Sequence, residues 1–457
     1  MLIKYTNDEK KYFFLNDKEN NDCGNNSFTV LVGKNGTGKS RLLQGVIQTL
    51  LAESMPSDVF IRNNEHRFTK KVDSQLLYDY IPNKVIAVST SPFDRFPILK
   101  PSNYQYRNQY IYLGLKGLPS RNLGLSYMSR IINSLIESII YNPERANIVV
   151  DVLSYLGYSE SLETRFHLNP SVRKMEVILQ SENPAEMLYN QLDRPVFVSY
   201  GYSTIRPSME LTDENIHKCL SVFSRLIEKT KKPRFDVEIS RDGIQILDSK
   251  YSIDEDFIFL IKSGLAQLRD VTFIKEGISE RLRINDASSG EQSVVMSLFG
   301  IASQIEDKCL ICIDEPEICL HPEWQEKYIE LLITTFSNYK ECQFLIATHS
   351  PQIISNLDIT NCYIMPMETG ISISAAEFVN KSADFQLVNV FKSPGFKNEY
   401  LSRIALNVFS KVSKRKKFDE VDLVNFNILQ DSFNLINEDD PIHGLIIAIN
   451  EMYLTYA

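Results

Sequence analysis

Short, dense apolar runs alternate with longer segments of helical spacing. Phe28-Thr29-Val30-Leu31-Val32 and Val85-Ile86-Ala87-Val88 are brief, rich in β-branched residues and bounded by turn formers. That predicts strands buried on both faces. Between them, Leu42, Leu43, Val46, Ile47 and Leu50 mark one face of a helix over residues 41–51. A polar, turn-prone stretch at 20–27 precedes the first strand, and Ser91-Pro92-Phe93-Asp94-Arg95 closes the second.

From about residue 122 to 234 the spacing predicts mainly helices, as at 127–140 and 213–229. A strand pair at 234–240 and 244–247 turns at Asp242-Gly243, and a further strand is expected at 270–276. Helix and strand then alternate from Ser288, with strands at 308–313 and 343–348. The stretch from about Ala375 onward reads as amphipathic helices. The expected fold class is α/β in four segments: 1–120 and 234–374 as two parts of one core, 121–233 as a mainly helical insert, and 375–457 as a helical C-terminal domain for oligomer or partner contact.

Composition narrows the class. With 457 residues, 43% hydrophobic and 23% charged, the chain fits a globular protein of several domains. No run approaches the roughly 18 apolar residues that span a bilayer. Charges soon after Met1 exclude a secretory signal, so a cytoplasmic protein without membrane contact is expected. The seven cysteines are scattered. Cys309 and Cys312 have the spacing of a zinc half-site, but on a strand they face opposite ways and read as buried small hydrophobes. A net charge of −9 gives no global attraction to nucleic acid.

Four motifs carry chemistry. Gly33-Lys34-Asn35-Gly36-Thr37-Gly38-Lys39-Ser40 follows the first strand and opens the first helix, the context of a nucleotide phosphate loop. Its backbone N–H groups and the helix N-terminus suit phosphates. Lys39 would reach the β- and γ-phosphates of ATP, the Ser40 hydroxyl would bind Mg²⁺, and Arg41 follows in the same turn. Leu310-Ile311-Cys312-Ile313-Asp314-Glu315-Pro316 reads as a buried strand delivering two carboxylates at its C-terminal end. Asp314 would hold Mg²⁺, and Glu315 would polarise the attacking water. Ser288-Ser289-Gly290-Glu291-Gln292 starts a helix with Ser288 or Ser289 as N-cap. Phe344-Leu345-Ile346-Ala347-Thr348-His349 is a buried strand ending in histidine.

In order and spacing these motifs resemble the ABC-type ATPase head. Gln292 to Asp314 is 22 positions and Asp314 to His349 is 35. The resemblance implies that Ser289, Gly290 and Glu291 form the signature contacting ATP bound to a second copy. It makes His349 the switch histidine beside the γ-phosphate, and places residues 317–321 where two subunits meet. It therefore implies a homodimer or higher homo-oligomer with slow, dimerisation-dependent hydrolysis. The glutamine usual after the second core strand is missing; Ser91 and Asp94 are the candidates in its place.

Ser40 lies 248 positions before Ser288, a separation too long to resemble a transporter ATPase. Asp314-Glu315-Pro316-Glu317 with Thr348-His349-Ser350-Pro351 looks like the RecF, SMC and OLD group. The Asp-x-Asp layout of an OLD nuclease domain is not found after His349. The chain most resembles PtuA-type ATPases of Septu anti-phage systems and related retron ATPases, which implies a separate HNH-type nuclease partner. The alternative is a RecF-like repair ATPase that binds DNA directly, with Lys411, Lys414, Arg415, Lys416 and Lys417 as the densest basic run.

Overall fold

Six parallel strands and one antiparallel edge strand form the central sheet of the computed structural model. Their order is Ile373–Ser374, Cys362–Pro366, Ser27–Val32, Gln343–Thr348, Cys309–Asp314, Lys84–Ser89 and Tyr110–Leu113. The structure describes residues 1–7, 10–15, 25–52, 74–99, 106, 108–116, 123–193, 196–198, 201–203, 211–229, 234–247, 253–277, 281–355, 357, 361–378 and 381–456.

The strands read as unbroken apolar runs because both faces are covered. On one face Leu31, Ala87, Leu310, Cys312, Leu345 and Ala347 meet Leu42, Leu43, Val46 and Ile47 of the helix Lys39–Ala52. Leu2 and Tyr5 join this layer from a three-stranded antiparallel sheet of Lys10–Phe13, Leu2–Asn7 and Gln75–Tyr78. On the other face Val30, Val32, Ile86, Val88, Ile311, Ile313, Phe344 and Ile346 pack with helices Leu123–Tyr141, Ser289–Ala302 and Pro322–Thr335. Cys309 and Cys312 are buried and belong to opposite faces, the arrangement expected of small hydrophobes.

The segment 121–233, expected to be mainly helical, also contains an eleven-residue strand, Tyr158–Leu168. This strand lies at the centre of a second, antiparallel sheet ordered Gly243–Leu247, Arg234–Ser240, Tyr158–Leu168, Ala266–Lys275 and Arg281–Arg283. Its pairing sets His167 opposite Arg234 and Ser161 opposite Ser240, so chain from both sides of residue 233 shares one sheet. The alternation is regular, with Leu162, Thr164, Phe166 and Leu168 inward and charged or polar residues between them.

Four C-terminal helices, Ala383–Asn389, Glu399–Arg415, Glu420–Phe433 and Pro441–Tyr456, surround a core of their own built on Leu401, Val408, Leu429 and Ile446. The basic run falls at the C-terminal end of the second of these helices, where cations complement the helix dipole. Lys411 pairs with Asp422 at 3.5 Å and Arg415 with Asp419 at 3.6 Å. Among the described residues no helix is long and apolar enough to cross a membrane.

Candidate functional site

Parallel order brings three motifs, distant in sequence, to one edge. Ser27–Val32, Gln343–Thr348 and Cys309–Asp314 are consecutive neighbours, with Val32 opposite Thr348 and Ala347 opposite Asp314. The residues that follow each strand therefore meet at the carboxyl ends, where open α/β sheets bind ligands.

The loop after Val32 turns on Gly36 and Gly38, whose φ values of +82° and +97° lie where only glycine is free of strain. No atom lies within 4 Å of a Cβ built on either, so the backbone angle sets this requirement rather than space. Thr37 Oγ1 donates to the Lys34 carbonyl at 2.9 Å, which ties the loop to itself. Asn35 and Arg41 stand exposed on either side. Lys39 is buried, and its Nζ donates to the carbonyl oxygens of Gly33 at 2.8 Å and Lys34 at 3.2 Å. Burial lowers the Lys39 ammonium pKa, while the charges of Glu317, Glu315 and Asp314 oppose that shift.

Ser40 Oγ donates to Asp314 Oδ1 at 2.9 Å, so the loop and the acidic strand meet in one contact. Asp314 is 3% exposed, and burial pushes its carboxyl up to about 7 despite the Ser40 hydrogen bond. Glu315 takes a left-handed backbone, φ +52°, while its N–H donates to the Ala347 carbonyl at 2.9 Å. A non-glycine residue held there stores on the order of 1 kcal/mol of strain. His349 Nδ1 lies 3.0 Å from Glu317 Oε1 and 3.9 Å from Glu315 Oε1.

Residues 317–321 are the segment expected where two subunits meet; within the chain Glu317 is 6% exposed and accepts from the His349 main chain as well as its ring. Its burial favours the neutral acid, yet the hydrogen bonds from His349 leave the carboxyl below its ordinary range. Asp94, a candidate for the missing glutamine, is committed elsewhere. Its oxygens accept from Phe96 N at 2.9 Å and the Tyr112 hydroxyl at 2.6 Å, and Lys116 Nζ lies 3.1 Å away. Ser91 Oγ caps its own turn by accepting from Phe93 N at 3.2 Å.

The helix Ser289–Ala302 starts at Ser288, not Ser289, through a reciprocal capping box with Glu291. Glu291 spends both carboxylate oxygens within the chain. Oε2 accepts from Ser288 N at 2.9 Å and Ser288 Oγ at 2.7 Å, while Oε1 accepts from the Tyr158 hydroxyl at 2.8 Å. Of the three residues expected to form the signature, Glu291 is thus engaged within the chain. A Cβ at Gly290 would stand 3.1 Å from the Cys319 carbonyl, so the absent side chain lets the helix close on residues 319–321. No hydrogen bond or ion pair joins Ser289 or Gly290 to the phosphate loop of the same chain among the described residues.

A glycine loop at a helix N-terminus, a buried lysine and a serine hydroxyl bonded to the carboxylate of the next motif define a phosphate-loop nucleotide hydrolase. Residues 15–354 match the family AAA_15, the AAA ATPase domain, and the chain belongs to that family. It is similar to the Retron Ec83 probable ATPase of Escherichia coli, 24% identical over 375 residues that cover 74% of this chain and 66% of the relative. It is also similar to the Retron Vc95 probable ATPase of Vibrio cholerae serotype O1 biovar El Tor, 21% identical over 358 residues covering 72% and 67%. The chain thus spans about two thirds of the length of these curated relatives. Among solved structures, an SMC head bound to the C-terminal winged-helix domain of ScpA aligns with 82% of this chain and 97% of its own, at 13% identity and a TM-score of 0.28. The family assignment rests on the sequence match alone.

Proposed function

We propose that the chain is the ATP-binding and hydrolysing subunit of an anti-phage defence complex, in which it gates a separate nuclease of HNH type. The convergence of Lys39, Ser40, Asp314, Glu315 and His349 at one sheet edge carries the hydrolytic part. The retron relatives support the defence part.

In this reading Asn35, Gly36, Thr37, Gly38 and Arg41 line the phosphates with main-chain N–H groups and charge, and Lys39 binds the β- and γ-phosphates. Mg²⁺ fits the Ser40–Asp314 pair, because a buried carboxylate whose charged form is disfavoured gains from a cation beside a neutral hydroxyl. When bound, that ion neutralises phosphate charge. Glu315 orients a water and takes its proton as the water oxygen attacks the γ-phosphorus. The bond to the β–γ bridging oxygen breaks, and ADP and phosphate leave. His349, protonated on both ring nitrogens, donates from Nε2 to the γ-phosphate while Nδ1 donates to Glu317.

Ser289 and Gly290 complete the site of a second copy, which makes the active form a homodimer or larger and turnover slow in the monomer. Direct DNA binding through residues 411–417 is the weaker reading, because Lys411 and Arg415 already face acids. Light scattering of wild type and Glu315→Gln, with and without ATP and Mg²⁺, tests the proposal. An ATP-dependent increase in mass that persists in the variant supports it. A monomer indifferent to ATP, or a turnover rate per subunit unchanged on dilution, rejects the two-copy site.

A further inference from the structure

Tyr158 sits at the junction between the antiparallel sheet and the ATPase core. Gly157, at φ +78°, makes the turn from helix Arg145–Tyr155 into the strand, and its carbonyl accepts from Glu276 N at 3.1 Å. The neighbouring strand bulges between Phe273 and Lys275, and Tyr158 pairs with Lys275 just past the irregularity. Bulges of this kind re-aim side chains at a sheet end. The Tyr158 ring is 3% exposed and stacks on Phe273 at 5.0 Å, so the ring is fixed by the sheet.

Its hydroxyl is the one polar atom it offers, and that hydroxyl donates to Glu291 Oε1 at 2.8 Å. Glu291 in turn holds Ser288 N and Oγ, and Ser288 Oγ accepts from Glu291 N at 3.2 Å. The first turn of the helix that presents Ser289 and Gly290 is therefore clamped at the Glu291 carboxylate from two sides. One side is local; the other is a sheet partly built from the long segment between the phosphate loop and the signature.

We infer that Tyr158 is a positioning residue through which the antiparallel sheet sets the signature turn, so that whatever displaces this sheet changes the competence of the ATP site. The link to turnover rests on the signature acting on ATP as proposed above; the link to the helix turn does not. Tyr158→Phe keeps the stacked ring and removes only the hydroxyl. Hydrogen exchange at the amides of Glu291 and Gln292 is expected to quicken about ten- to a hundredfold, the factor carried by one hydrogen bond to a charged group. Exchange in the phosphate loop is expected to stay unchanged.

Turnover is expected to fall several-fold with the affinity for a fluorescent ATP analogue retained, because Lys39 and its loop are untouched. Adding Tyr158→Phe to Glu291→Ala should cost nothing further if the two act as one unit. Unchanged exchange in Tyr158→Phe overturns the positioning role. Altered exchange with unchanged turnover, or additive losses in the double variant, overturns the coupling to ATP. A wild type without turnover rejects the functional reading instead, and exchange alone then decides whether Tyr158 holds the turn.

Discussion

One oxygen of Glu317 accepts twice from His349, from the main-chain N–H at 2.7 Å and from Nδ1 at 3.0 Å. The pairing fixes the proton on Nδ1 and leaves Nε2 as the ring nitrogen available to a ligand. The hydrogen bond to Glu317 raises the His349 pKa above its ordinary 6.5, although burial acts the other way. A folded pKa above the unfolded one means that the pair stabilises the fold fully below pH 6.5. That contribution fades as pH rises through the raised value. Glu317→Gln should return the His349 midpoint to 6.5 or below, read from its ring protons by NMR, and should move any alkaline limb of the turnover profile down in pH. An unmoved midpoint would assign the shift to another cause.

Asp314 has linkage of the same sign for a different reason, because burial rather than a partner raises its pKa. Its carboxyl is raised from 3.8 to about 7, so the folded chain favours the neutral acid and loses stability as pH climbs through that interval. At 1.36 kcal/mol per unit the ceiling is about 4 kcal/mol, and relaxation around the charge leaves an expected ~1–2 kcal/mol. Asp314→Asn should therefore melt higher than wild type at pH 8, while binding Mg²⁺ with nucleotide far more weakly. Mg²⁺ must displace the Asp314 proton, so affinity in wild type should rise between pH 6 and 8. Calorimetric titration in two buffers of different ionisation heat reads the released proton directly. Zero release at pH 6.5 would contradict the raised pKa.

Glu315 combines strain with chemistry. Glu315→Gln should retain ATP and lose turnover by a hundredfold or more, on the order of a missing general base. Glu315→Gly should also lose turnover but stabilise the fold by about 1 kcal/mol, because glycine accepts φ +52° without cost. Thermal melts of the two variants separate the effects. Equal stability in both would mean that the left-handed turn is not strained.

Much of this site is legible in sequence because each motif is contiguous and local geometry follows from it. A glycine loop between strand and helix, or an apolar run ending in two acids, needs no knowledge of the rest of the chain. The choice of Ser288 over Ser289 as N-cap was not legible, since Ser288 stands three residues before Glu291 and Ser289 three before Gln292, both in capping-box spacing. Nor was the role of Glu317, because it depends on which strands are neighbours and hence on His349 lying beside it. Strand Tyr158–Leu168 was masked by the helices around it and by the charged residues on its outward positions. Tyr158 needs both facts at once: the strand, and the helix end it reaches.

The same substitution in two helices should have opposite signs, and the difference isolates packing from propensity. Gly45 lies within helix Lys39–Ala52, where a Cβ would run into the hydroxyl of the buried Tyr5. Gly444 lies within helix Pro441–Tyr456 with no atom within 4 Å of its Cβ position. Alanine gains about 1 kcal/mol over glycine in either helix on propensity alone. At Gly444 nothing opposes that gain, so Gly444→Ala should stabilise by roughly 0.5–1 kcal/mol. At Gly45 the methyl must push Tyr5 out of a core that also holds Leu2, Val46 and Leu31. Overpacking of this kind costs about 1–3 kcal/mol and should outweigh the propensity gain. The displaced layer covers the helix that begins at Lys39, so Gly45→Ala should weaken nucleotide binding as well as lower the melting temperature. Gly444→Ala should leave binding alone. Urea melts of both variants, with nucleotide titrations beside them, decide it: a stabilising Gly45→Ala would mean that Tyr5 moves aside freely and that this layer does not brace the phosphate loop.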